Sequence, residues 1–360
     1  MGVLEDRFGV PPFSVLDTKQ KYWLNRKKEW RSIGIQSEVG RNARAFNIKE
    51  WIEDKEKSGG GSSQETGKLS DVSIFDPVLC ELSYKWFCKP KGTILDPFAG
   101  GSVRGVVASV LGYEYTGVDL RPEQTNANYD NISKLSLTLP VDPVWITGDS
   151  MDIKNIGGEY DMIFSCPPYH DLEEYSKDPK DLSNMSYEKF VENYSEIIKR
   201  SCSMLKNDSF AVFVVGEIRD KDGFYKNFVG DTVNAFLNAG MKYYNEGILQ
   251  QTVNTMSLRV SKQFEPYRKL GKLHQNILIF YKGDPKNISL MNIDSNKFTP
   301  LTSLNEPKRP RSREFENKIL GEVEIETPKE DTVCKLCGVD YTGMTYEQHE
   351  TRPFHQNCLE

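Results

Sequence analysis

No stretch of this chain runs for the roughly 18 apolar residues that a membrane-crossing helix needs, so a membrane protein is not expected. A surplus of positive charge is also missing. Lys and Arg number 46 against 52 Asp and Glu, a net charge of −6, which argues against a protein that coats nucleic acid by charge alone. Any phosphate contact must then come from local patches. The opening residues Met1-Gly2-Val3-Leu4-Glu5-Asp6-Arg7 lack the charged-then-apolar pattern of a secretory signal. The expectation is a reducing cytoplasm, where disulfides are rare.

What is present reads as one substantial domain with small appendages, since 360 residues exceed what a single modest core requires. A Gly/Ser-rich break, Ser58-Gly59-Gly60-Gly61-Ser62-Ser63, marks a flexible linker. It divides the chain into a basic and aromatic arm at 1–57, a linker at 58–72, a main domain at 73–283, a polar tether at 284–333 and a small module at 334–360. Two local patches balance the acidic whole. One is 252–273, where Arg259, Lys262, Arg268, Lys269 and Lys272 face the single acid Glu265. The other is 19–31, where Lys and Arg alternate with Tyr22, Trp23 and Trp30. Either is a candidate for touching nucleic acid, or simply a solvated face.

Within the main domain, short apolar runs alternate with helical stretches. Strands are expected at 93–95, 115–118, 144–147, 162–165 and 210–215, with helices at 103–111, 122–135, 187–205 and 229–239. Such alternation implies a parallel sheet covered on both faces. Two further strands, 243–249 and 275–281, come with no helix expected between them and suit an antiparallel pair.

The first strand ends in Asp96-Pro97-Phe98-Ala99-Gly100-Gly101-Ser102. Glycines at a strand-to-helix turn let a ligand approach the backbone, beside the free N–H groups of the helix start. The spacing is not G-x-G-x-x-G, which disfavours a dinucleotide, and no Lys-Ser/Thr follows Gly105, which removes a nucleotide-triphosphate loop. Asp119 ends the second strand, where a carboxylate can accept from ribose hydroxyls. Asp149 ends the third and can meet an adenine amine.

The fourth strand runs into Ser165-Cys166-Pro167-Pro168-Tyr169. The prolines fix the exit angle and leave carbonyls without competing local N–H donors. Those carbonyls suit the exocyclic amine of a base, whose lone pair is delocalised into the ring until its N–H groups are held. Tyr169 can stack on a base turned out of the duplex.

Asp96-Pro97-Phe98-Ala99-Gly100-Gly101 followed by Pro167-Pro168-Tyr169 resembles the amino-methyltransferase family, and is similar to the DNA methylases of tailed phages. The resemblance covers roughly residues 75–282. It implies an α/β fold, a Rossmann-like seven-stranded methyltransferase sheet with a closing antiparallel hairpin. It also implies S-adenosyl-L-methionine as cofactor, DNA as partner, and methyl transfer to the amine of adenine or cytosine, as in restriction–modification systems. Phe75 and Asp76, opening 75–88, match the helix that the family places over the cofactor's methionine end. In the family Asp, Asn or Ser precedes the two prolines, whereas Cys166 stands here. A thiol accepts hydrogen bonds poorly, so Ser165 or the backbone would hold the amine, and the choice between adenine and cytosine stays open. A nucleophilic Cys166 would need an activated thiolate, yet the acids Asp171, Glu173 and Glu174 lie nearby in sequence.

At the far end, Cys334, Cys337, His349 and His355 resemble a two-cysteine, two-histidine zinc finger, with Cys358 as an alternative fourth ligand. Thiolates and imidazoles at such spacing suit a tetrahedral, structural zinc. Two other readings remain: an RNA amino-methyltransferase, and a non-catalytic DNA-binding protein on a vestigial methyltransferase fold. The intact glycine turn and three strand-end acids argue against the second.

Overall fold

A period-two alternation sets the architecture. Ile94, Met162, Phe164, Phe210, Val212 and Val214 point to one face of a sheet, while Leu95, Ile163, Ala211, Phe213 and Val215 point to the other. Both faces must therefore be covered. The computed structural model describes residues 3–35, 75–170, 176–253, 256–290, 298–299 and 301, all within one unit, Met1–Arg311. The zinc-ligand candidates Cys334, Cys337, His349, His355 and Cys358 lie outside the described residues, as does the stretch 36–74 that holds the glycine-rich linker.

The sheet has eight strands: β1 (Val15–Asp17), β2 (Thr93–Asp96), β3 (Glu114–Asp119), β4 (Val144–Thr147), β5 (Tyr160–Ser165), β6 (Leu205–Val215), β7 (Lys242–Gln250) and β8 (His274–Lys282). Their order across the sheet is β1-β7-β8-β6-β5-β2-β3-β4. Seven are the expected strands. The eighth, β1, is added because the N-terminal segment pairs in parallel with the edge strand β7. Only β8 runs antiparallel, between β6 and β7. The hairpin expected at the end of the domain is therefore formed, but helix Met256–Tyr267 stands between its strands. From residue 261 on its positions are exposed, so it has no buried apolar stripe there for periodicity to detect.

Helices Tyr187–Met204 and Phe228–Asn238 cover the face that holds Leu95 and Ile163. Helices Pro77–Phe87 and Val103–Val110 cover the opposite face. A further layer there comes from helix Lys21–Ser32, whose Trp23 and Trp30 are fully buried. These aromatics, read in the sequence as part of a possible nucleic-acid patch, are core residues. Arg26 lies between them and sends two hydrogen bonds of 2.7 Å to the fully buried Glu81.

Strand order reverses at β2, whose neighbours are β5 on one side and β3 on the other. A crevice opens at such a switch point, beyond the carboxyl ends of the strands. The glycine turn after β2 and the Pro-Pro-Tyr loop after β5 both leave the sheet there.

At the opposite end of β5, Asp161 accepts from Lys89 Nζ at 2.7 Å, Lys206 Nζ at 2.9 Å and the Thr93 amide at 3.0 Å. Burial by itself would raise this carboxyl, but the hydrogen bonds from Lys89, Thr93 and Lys206 together hold it below the ordinary aspartate value. A depressed folded-state pKa stabilises the protein above the unfolded value and is lost as pH falls through the folded one. Asp161→Asn is thus expected to lower stability at pH 7 and to flatten the fall in stability below about pH 4. Denaturant midpoints measured at pH 7 and pH 3 check this, and parallel acid losses in both proteins would refute it.

Candidate active site

Asp96 organises the turn after β2 from below. Its carboxylate is fully buried and takes Arg104 Nε at 2.6 Å, the Tyr115 hydroxyl at 2.7 Å, the Ser165 hydroxyl at 2.5 Å and the Phe98 amide at 3.1 Å. Arg104 then donates to the carbonyls of Phe98 and Ala99, both at 2.6 Å. Burial works against the guanidinium, but Asp96 beside it outweighs that and raises its pKa well above the ordinary value. Burial, reinforced by Asp96, also pushes the Tyr115 hydroxyl well up, which keeps it a donor. The result is a turn pinned from inside.

The turn itself needs glycine. Gly100 adopts a φ of +50°, a region that side chains resist. Its amide donates to Asp119 Oδ2 at 3.0 Å, and Asn128 Nδ2 holds its carbonyl at 2.8 Å. Gly117 on β3 lets that strand pass close beneath the turn: a Cβ there would sit 2.7 Å from the Ala99 Cβ.

Above this turn lies a cavity of about 950 Å³. Of the residues singled out in the sequence, Phe75, Asp76, Pro97, Phe98, Gly100, Asp119, Asp149, Cys166, Pro167, Pro168 and Tyr169 line it. Asp96, Ala99, Gly101 and Ser165 are buried and sit outside its lining. Asp119 and Asp149 are partly exposed, at 14% and 18%. Asp149 also caps the turn that follows it, accepting from the Met151 amide at 2.8 Å. Leu120 and Met151 add apolar walls beside these two acids.

The loop after β5 is held from a different side. The Tyr169 hydroxyl accepts from Gln275 Nε2 at 2.9 Å, and Gln275 Oε1 accepts from Gln251 Nε2 at 3.2 Å. All three residues line the cavity. The Tyr169 ring meets Phe228 edge to face at 6.2 Å, and the Cys166 sulfur lies 3.9 Å from the Tyr169 hydroxyl. The Ser165 hydroxyl points away toward Asp96, so it is already committed.

Several contributors to the site were not expected there from the sequence, the stretch 19–31 having been read as a patch facing nucleic acid or solvent. Thr18, Leu24, Lys27 and Arg31 bring the N-terminal segment to the cavity wall. Arg104 could have been noticed as the one charged residue in the otherwise small and apolar helix Val103–Val110. Arg219 and Tyr225 bridge a short hairpin, with the guanidinium 3.9 Å from the ring centre. Lys272 Nζ approaches the same ring at 6.0 Å, and Lys269 Nζ lies 5.2 Å from the Tyr267 ring. Phe224 and Tyr267 are 71% and 69% exposed. The basic stretch 252–273 is therefore joined by a second aromatic loop that carried no sequence motif.

Among the described residues no cluster of His, Cys, Asp and Glu is arranged to hold a metal ion, and no helix is long and apolar enough to cross a membrane. The described cysteines Cys80, Cys88, Cys166 and Cys202 are not in disulfides.

No protein-family model and no curated protein matches the chain. Solved structures do overlap with it in part. TrmN from Thermus thermophilus is 13% identical over 59% of this chain and 51% of that one, at a TM-score of 0.40. The chain thus spans about half the length of that structure. Magnesium protoporphyrin IX methyltransferase from Synechocystis PCC 6803 with bound SAM is 12% identical, over 66% and 98% of the two chains, at a TM-score of 0.38. A TehB-like SAM-dependent methyltransferase from Corynebacterium glutamicum is 13% identical, over 66% and 98%, at a TM-score of 0.36.

Proposed function

We propose that the chain is a DNA methyltransferase that moves a methyl group from S-adenosylmethionine to the exocyclic amine of adenine or cytosine. The observation that carries this reading is convergence on one cavity. The glycine turn, the strand-end acids Asp119 and Asp149, and the Pro167-Pro168-Tyr169 loop come from distant parts of the sequence and line the same space.

The donor set fits a nucleoside-bearing cofactor. Asp119, which accepts from the Gly100 and Arg121 amides, lines the cavity at a strand end, the place where a carboxylate meets ribose hydroxyls. Asp149 can accept from an adenine amine, and Leu120 and Met151 supply apolar surface for the ring. A volume of about 950 Å³ lies near the top of the range for small-molecule sites, which leaves room for a base beside the donor. Bound there, S-adenosylmethionine supplies a methyl group already activated on a sulfonium.

The remaining work belongs to the chain. Tyr169 offers a ring on which an extruded base stacks, its hydroxyl tethered by Gln275. With the Ser165 hydroxyl occupied by Asp96, main-chain carbonyls of the Cys166-Pro167-Pro168 turn accept the amine N–H groups and localise the nitrogen lone pair toward the methyl. Positioning matters more than a strong base in such a transfer. The Arg219–Tyr225 hairpin together with Lys269 and Lys272 provides cations and exposed rings for the flanking strand.

Mass spectrometry of nucleosides after incubation with labelled S-adenosylmethionine is the direct test. N6-methyladenine or N4-methylcytosine in DNA is expected; methyl only in RNA, or in neither, overturns the reading. Tyr169→Ala is expected to lower turnover by about 10- to 100-fold, the value of one lost stacking contact, with cofactor binding retained. Unchanged transfer by that variant would remove the base-holding role.

A further inference from the structure

Where β7 and β8 reach the cavity, the polar side chains they send to its wall are uncharged: Gln251, Thr252 and Gln275. The backbone under the two glutamines is fixed. Gln275 pairs in register with the buried Leu249, and the Gln251 amide donates to the Leu273 carbonyl at 2.8 Å. Side chains on paired strands are held more precisely than those on loops. The Gln275 carboxamide is engaged at both ends, its Nε2 donating to the Tyr169 hydroxyl at 2.9 Å and its Oε1 accepting from Gln251 Nε2 at 3.2 Å. Gln251 is exposed and uses one of its two N–H groups in this way. Among the described residues nothing else engages its carboxamide.

We propose that Gln251 is a specificity-determining residue, its second Nε2–H donating to the ring nitrogen beside the target amine of the extruded base. This rests on the reading that Tyr169 stacks such a base in this cavity. Gln251 stands one hydrogen-bonded side chain beyond the Tyr169 hydroxyl, on the wall of the same cavity. In adenine N1, and in cytosine N3, is an unprotonated acceptor next to the amine. The corresponding ring position of guanine and thymine carries an N–H, so a donor there meets a donor, and the unmatched pair is costly. A lone carboxamide evades that choice, because turning it over exchanges N–H for oxygen. Gln275 opposes the turn: Gln251 turned alone would set its Oε1 against Gln275 Oε1, and only a concerted turn of both amides with the Tyr169 proton restores the chain. The orientation of the reader is therefore a property of three residues, and Gln275 is its positioning residue. An uncharged reader also suits an uncharged base, since a charged side chain against it would be desolvated without an opposite charge.

The test measures methyl transfer by the full chain to bacterial DNA free of N6-methyladenine and N4-methylcytosine, with S-adenosylhomocysteine affinity followed separately by calorimetry. Gln251→Met keeps the length of the side chain and removes the amide. It is expected to lower turnover about three- to tenfold, the value of one hydrogen bond between neutral partners, while S-adenosylhomocysteine affinity changes less than about twofold. Gln251→Glu keeps the shape but, ionised, has no donor, and should lose at least as much. The decisive comparison repeats Gln251→Met on a Tyr169→Phe background, which keeps the ring and removes the hydroxyl. A residue that reads the base should cost the same factor there. Disappearance of the loss on that background would mean that Gln251 only steadies the Tyr169 hydroxyl, and full activity of either Gln251 variant would mean that no donor is needed; each overturns the proposal. Absence of methyl transfer to DNA by the unaltered protein is a separate result, which overturns the methyltransferase reading and this inference with it.

Discussion

Asp96→Ala is expected to lose about 3–5 kcal/mol of stability, the cost of leaving one member of a buried ion pair without its partner. Asp96 is fully buried and Arg104 is 7% exposed; without the carboxylate the guanidinium keeps only the carbonyls of Phe98 and Ala99 among its hydrogen bonds. The Tyr115 and Ser165 hydroxyls lose their acceptor at the same time. Each stranded polar group adds its own desolvation cost. The damage should reach the cavity, because Arg104 also lies 4.9 Å from the Phe75 ring centre and fixes the backbone immediately before Gly100. Urea unfolding should therefore show a lower midpoint with an unchanged slope, and S-adenosylhomocysteine binding should fall in parallel. A stability change under about 1 kcal/mol would show that the cluster is not the support described above.

That cluster explains what the sequence could and could not disclose. Asp96 was legible as part of a glycine turn, since Asp-Pro-Phe-Ala-Gly-Gly follows an apolar strand. Its role as the buried hub beneath that turn was not, because Tyr115 and Ser165 come from two other strands and no local pattern records the meeting. The central strands were legible: expected strands at 162–165 and 210–215 fall within Tyr160–Ser165 and Leu205–Val215, where an unbroken apolar run marks a strand buried on both faces. The helix Lys21–Ser32 was not resolved from its pattern. Its buried face is Trp23, Arg26 and Trp30, and a charged residue in the middle of the stripe disguises the period. The strand Val15–Asp17 has three residues, too few for any alternation to register. The cavity wall formed by this segment is therefore a tertiary fact, while the Pro-Pro-Tyr loop that lines the same cavity is a local one.

The same charged stripe leads to the second large effect. Glu81 is fully buried and receives Arg26 Nε and Nη2 at 2.7 Å, Trp30 Nε1 at 2.8 Å and, at 3.5 Å, Lys85 Nζ. It is the point at which the N-terminal helix is bolted to the helix Pro77–Phe87. Glu81→Ala takes two hydrogen bonds from Arg26, which is 2% exposed and keeps only Glu29 and the Thr299 carbonyl, and removes the acceptor of Trp30 Nε1; a loss of about 3 kcal/mol is expected. The loss should not be spread evenly. The network joins the middle of the N-terminal helix to the helix Pro77–Phe87, so the amides of the N-terminal helix should lose hydrogen-exchange protection well before those of β5 and β6. A double-mutant cycle with Arg26→Met separates the pair from its surroundings: a coupling of at least about 1 kcal/mol is expected, because the second substitution removes the very charge that the first left buried. Additive losses, or uniform loss of protection across the sheet, would mean that the N-terminal helix is held by apolar packing alone and that the Glu81 carboxylate is incidental to the cavity wall.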